Sequence, residues 1–160
     1  MKKQPINTSK VMLKNRELKD KVRPSWDVYF LNIADQVAKR SHDPDTQVGA
    51  VIVDENNRIL ATGYNGFPPG CDDDNLPTTR PEKYAYMVHA EVNAIASSRQ
   101  DLRGSSLYLT ISPCKECAKV IITAGVKKVF FRDFYLIKDW DFIRNLFENA
   151  GIQWKNVQRF

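Results

Sequence analysis

No run in this sequence is long and apolar enough to span a bilayer, so no membrane-spanning helix is expected. The N-terminus lacks an apolar h-region: Met1-Lys2-Lys3-Gln4-Pro5 continues into polar residues, so no signal peptide is predicted and a cytoplasmic location is the expectation. Cysteine is scarce. Cys71, Cys114 and Cys117 are the only three in 160 residues, and an odd, small count argues against a disulfide framework. Histidine is scarcer, with only His42 and His89. Internal repeats, low-complexity tracts and a second domain are also missing, and the length suits one domain.

A hydrophobic fraction of 42% with 27% charged residues allows an ordinary core. The formal charge of +5 is unevenly placed. Lys2, Lys3, Lys10, Lys14, Arg16, Lys19, Lys21 and Arg23 face only Glu17 and Asp20 in the first segment, and the rest of the chain is near neutral. We therefore divide the chain into a basic N-terminal arm, 1–24, and a domain, 25–160. Such an arm suits contact with nucleic acid or another acidic surface. A solvated tail is the simpler account, so a nucleic-acid partner is not expected.

Ser25 is placed to cap a helix, and Trp26, Tyr29, Phe30, Ile33, Ala34 and Val37 continue at helical spacing. Thr46 to Val53 reads as a buried strand, Asp54 to Asn57 as a hairpin turn and Ile59 to Tyr64 as the return strand. A long loop rich in Gly, Pro and Asp follows from Asn65 to Asp74, and loops of that length are usually functional. Helical spacing returns from His89, then a strand over Ser106–Thr110, a helix opened by Pro113 and stopped at Gly125, a strand over Val126–Phe131, a helix over Trp140–Ala150 and a short strand at Ile152–Trp154. A hairpin followed by alternating helices and strands predicts an α/β layer fold with a mixed sheet.

The chemistry lies in His89-Ala90-Glu91 and Pro113-Cys114-Lys115-Glu116-Cys117, each at a predicted helix start. Cysteines three apart project from one helix turn. They cannot alone fill a tetrahedral metal shell, and His89 is the better of the two histidines to join them. Helix N-termini favour thiolates. Two thiolates and an imidazole suit zinc, and three protein ligands leave one position open, as in catalytic sites. Glu91, two residues past His89, faces away from a ligand position but can lean over the opening as a proton shuttle. The cysteines alone would also suit a structural zinc site or a thiol redox pair. Together, H-x-E and P-C-x-x-C form the zinc-deaminase signature.

The sequence resembles the deoxycytidylate (dCMP) deaminases of the cytidine deaminase superfamily from about Trp26 to Trp154. Besides the metal motifs, the resemblance is carried by the run Ser41 to Ala50, by Gly63-Tyr64-Asn65-Gly66-Phe67-Pro68-Pro69-Gly70, by Tyr84-Ala85-Tyr86 and by Asn93. It implies a three-layer α/β/α sandwich with a five-stranded mixed sheet, and conversion of dCMP to dUMP with release of ammonia. It places Asn65 at the deoxyribose, with Val48 and Ala90 in the substrate set, and Tyr135 at the phosphate. Lys39, Arg40 and Ser41, between the first helix and first strand, are further phosphate candidates, although such cations also suit a helix C-terminus. It further implies a homohexamer activated by dCTP and inhibited by dTTP with Mg²⁺. Tyr64, Gly66, Asp72 and Asp73 are the candidate regulatory residues, although a solvated acidic loop would look alike. With the metal set assigned, Cys71 and His42 are too few for a second closed site, so one zinc per subunit is expected. The competing readings are another superfamily deaminase, acting on cytidine, guanine or a tRNA base, and a non-catalytic zinc-stabilised binding protein.

Overall fold

A computed structural model describes residues 23–158, so almost all of the basic arm lies outside the described residues. Ser25 caps the first helix, α1 (Trp26–Ala38), accepting the Val28 N–H. Strands β1 (Gly49–Val53) and β2 (Ile59–Tyr64) form a hairpin. Its turn is closed by Asp54, whose Oδ1 accepts the N–H groups of Asn56 and Arg58, and Asn57 takes a positive φ of 61° there. Helix α2 (Ala90–Ser97), strand β3 (Ser106–Ile111), helix α3 (Lys115–Thr123), strand β4 (Lys128–Asp133), helix α4 (Trp140–Asn149) and strand β5 (Gln153–Asn156) follow.

The five strands lie in the order β2-β1-β3-β4-β5. β1 is antiparallel to both β2 and β3, whereas β3, β4 and β5 run parallel, so the sheet is mixed as expected. Period-two alternation divides each central strand between two cores. Ala50, Ile52, Leu107, Leu109, Val129 and Phe131 face one side and pack with residues of α2, α3 and α4. Val51, Val53 and Tyr108 face the other side and pack with Phe30, Leu31 and Ala34 of α1. Each fully buried Leu, Ile or Phe contributes about 1.5–3 kcal/mol, so these faces fix which side of the sheet each helix occupies. The result is the three-layer sandwich.

The sheet positions the site through one close approach. A Cβ on Gly63 of β2 would lie 2.3 Å from the Ala94 nitrogen and 2.4 Å from the Ala90 carbonyl oxygen. Helix α2 therefore rests on bare backbone. Gly63→Ala should push α2 off the sheet and lower stability by about 1–3 kcal/mol or more. Thermal melting and metal content, measured together, check this; an unchanged melt would mean that the contact is softer than it looks.

The largest boundary shift from the sequence expectation is in the first strand; the others move by one or two residues. The first strand starts at Gly49 rather than Thr46. The Asn65 side chain claims the intervening backbone: its Oδ1 accepts the Val48 N–H at 2.7 Å and its Nδ2 donates to the Thr46 carbonyl at 2.8 Å.

Candidate active site

Two helices begin close to one another, and their caps are ligand-type residues. His89 is the N-cap of α2, with φ −70° and ψ 153°, and Cys114 is the N-cap of α3, with φ −79° and ψ 173°. Cys117 is the third residue of α3, and its N–H donates to Cys114 Sγ at 3.4 Å. His89 Nδ1 lies 3.2 Å from Cys117 Sγ and 3.6 Å from Cys114 Sγ. The three ligand atoms all fall within 4.8 Å of one another, and no other such group of three occurs among the described residues. Tetrahedral zinc, with bonds of about 2.3 Å to sulfur and about 2.0 Å to nitrogen, needs donors spaced by about 3.5–3.8 Å. The donor set fits zinc in kind and in spacing.

The electrostatics point the same way. The Cys117 hydrogen bond draws the Cys114 thiol down to about 3; burial resists this, and His89 adds to it. The same partnership pushes Cys117 up, with burial and the neighbouring Glu91 adding to the effect. The bond to Cys114 also raises the His89 imidazole, against its burial. The pair thus shares one proton and one negative charge, and a divalent cation would displace that proton and hold both sulfurs as thiolates.

Glu91, the second residue of α2, is 4% exposed. Burial pushes its carboxyl up to about 7, against its own backbone N–H bond and the His89 charge. It hydrogen-bonds Cys117 and lines the cavity in front of the three donors.

That cavity is walled by the ends of several elements. Val48 and Asn65 come from the β1–β2 side, Ile111 and Ser112 from the end of β3, and Tyr135 from beyond β4. Ala90 forms part of the wall beside His89. Asn65 is 8% exposed and tightly held: besides its bonds to Val48 and Thr46, its Oδ1 accepts the Ser41 hydroxyl at 2.7 Å. Ser41 thus acts on Asn65 and does not itself line the cavity.

Lys39 and Arg40 are exposed beyond the end of α1, and neither lines the cavity; Lys39 donates to Gln36 at 2.9 Å. Tyr64, Gly66, Asp72 and Asp73 are also outside the lining. The Tyr64 carbonyl accepts from Asn93, Gly66 pairs with Val88, Asp72 caps the short turn Asp73–Asn75, and Asp73 pairs with His42 at 2.9 Å. Sequence reasoning missed Asp43, Thr46, Arg80 and Met87, which line the cavity, and Lys83, which is buried behind Asp43. The available signals were the run Ser41 to Ala50, which holds Asp43, Asp45 and Thr46, and the need of its two carboxylates for a cation.

Comparison with known proteins adds to this geometry. Residues 24–133 match the family model of the cytidine and deoxycytidylate deaminase zinc-binding region. The chain belongs to that family. A deoxycytidylate deaminase of Pongo abelii is 43% identical over 139 residues, covering 81% of this chain and 78% of the relative. One from Mycobacterium phage D29 is 38% identical, covering 68% of this chain and 95% of the relative. Among solved structures, a dCMP deaminase of cyanophage S-TIM5 in complex with dCMP and dUMP superposes with a TM-score of 0.68 at 32% identity, covering 85% of this chain and 99% of that one. The family carries a zinc-binding deaminase domain, in agreement with the three donors found here. No helix among the described residues is long and apolar enough to cross a membrane.

Proposed function

We propose that this chain hydrolyses dCMP to dUMP and ammonia. The carrying observation is the buried Glu91 carboxyl, which lines one cavity with His89 and Cys114, two of the three donors that converge with Cys117. The family membership and the dCMP- and dUMP-bound cyanophage relative support the reading.

Zinc held by the three donors would supply a fixed positive charge and an acidified water. The protein's own groups do the rest. Glu91, buried at the cavity beside the donors, accepts a proton as the water oxygen bonds to ring C4 and delivers it to ring N3. It then carries the proton of the new hydroxyl to the C4 amine. The C–N bond breaks, ammonia leaves and the C4 carbonyl remains. Asn65 has one amide hydrogen beyond its bond to Thr46, and this suits a deoxyribose oxygen. Arg80 is the one Lys or Arg among the lining residues described, and with Tyr135 it suits the phosphate. In this assignment Arg80 replaces Lys39 and Arg40.

Ammonia release from dCMP, CMP, deoxycytidine and dCTP tests the proposal. dCMP should be turned over with the highest kcat/KM, and failure to deaminate any of the four would refute it. The same reading extends to a cytoplasmic hexamer that dCTP activates and dTTP with Mg²⁺ inhibits. It draws on the family resemblance, and rate curves that coincide with and without these nucleotides would remove the regulation.

A further inference from the structure

A charged cluster that the deamination step does not use forms part of the cavity wall and extends behind it. Lys83, in the short turn Glu82–Ala85, is 0% exposed. Its Nζ lies 2.7 Å from Asp43 Oδ1 and 2.7 Å from Asp45 Oδ2. Asp43 is itself 6% exposed and lines the cavity, and its Oδ1 also accepts the N–H groups of Asp45 and Thr46. Arg80 completes the group. Its Nε is 3.6 Å from Asp45 Oδ2, one terminal nitrogen donates to Thr46 Oγ1 at 3.1 Å, and the guanidinium lies 5.8 Å from the Tyr84 ring centre.

The geometry ranks these contacts. Asp45 Oδ2 is held closely by Lys83 and only loosely by Arg80, so Arg80 keeps N–H donors for the cavity it lines. Without Lys83, Asp43 would be a buried carboxylate with no counter-charge in the wall of a pocket that must admit an anion. Like-charge juxtaposition of that kind costs several kcal/mol. Arg80 would also be drawn onto Asp45. Burial works against the Lys83 ammonium, but its bonds to Asp43 and Asp45 outweigh this and hold its pKa above the ordinary range, so it stays charged.

We infer that Lys83 is the positioning residue that sets this pocket's selectivity for an anionic substrate, masking Asp43 and Asp45 so that Arg80 can face the phosphate. The inference rests on the dCMP reading.

The test compares kcat/KM for dCMP with that for deoxycytidine in the full zinc-loaded chain, at low and high salt. In Lys83→Met the ratio should fall by about tenfold, because the unmasked carboxylates repel only the phosphorylated substrate. The double variant Asp43→Asn/Lys83→Met removes a charge of each sign at the cavity wall but leaves Asp45 free to draw Arg80 away, so it should regain part of the ratio. Asp45→Asn, at a half-exposed position, makes the cluster net positive and should raise the ratio by about two- to fivefold, less at high salt. Equal loss for both substrates in Lys83→Met, with an unchanged ratio in Asp45→Asn, would reduce Lys83 to a packing role. Should Lys83→Met fail to fold, Asp45→Asn decides alone, and an unchanged ratio overturns the inference. A wild type that shows no preference for dCMP sinks the substrate reading and this inference together; a clear preference that no variant alters sinks only the inference.

Discussion

Glu91→Gln should lower the deamination rate by about 10²–10⁴-fold or more while leaving metal content unchanged. The substitution keeps the shape of the side chain and removes its ability to take and return a proton. Glu91 hydrogen-bonds Cys117 but is not among the three donors that converge, so the metal group should survive. Stability should change little, because the amide keeps the size and shape of the buried side chain. Single-turnover rates, metal analysis and thermal melting on one preparation separate these effects. A variant that loses its metal would make Glu91 a ligand, and one that keeps its rate would remove it from the proton path.

The donor trio was legible in the sequence because its residue types are rare and its two cysteines are close together in sequence. With two histidines and three cysteines to choose from, few assignments compete, and the structure does bring His89, Cys114 and Cys117 together. The core strands were legible for a similar reason: β1, β3 and β4 are short runs rich in apolar residues, which is a property of adjacent residues. What stayed hidden depends on contacts distant in sequence. Lys83 meets Asp43 across 40 positions, in a segment with no periodicity to mark it, and a lysine is a poor candidate for complete burial until its partners are known. Arg80 is likewise one loop residue with no local pattern. Lys39 and Arg40 drew attention because they sit between a helix and a strand, yet their side chains lie outside the lining. The late start of β1 was also hidden, because a side chain, Asn65, replaces the expected strand partner at Val48.

Cys117→Ser should lose the metal and the activity together. Cys117 is 2% exposed, its Sγ is the sulfur nearer to His89 Nδ1, and a serine hydroxyl gives up its proton to a metal far less readily than a thiol does. Loss of a ligand should weaken zinc binding by more than the roughly 10–100-fold that follows loss of a residue behind a ligand. Serine is close to cysteine in size, so the core of α3 around Ala118 and Ile121 should stay packed. The matching experiment on the wild type is chelation. Stripped protein should lose activity and regain it when zinc is returned, whereas the variant should not respond. Thiol reactivity gives an independent readout. Cys114 is drawn down to about 3 without metal, so it should alkylate in stripped protein at mildly acidic pH, where an ordinary thiol does not, and zinc should protect it. A variant that retains zinc and turnover, or a Cys114 that reacts equally with and without zinc, would mean that the metal is held elsewhere.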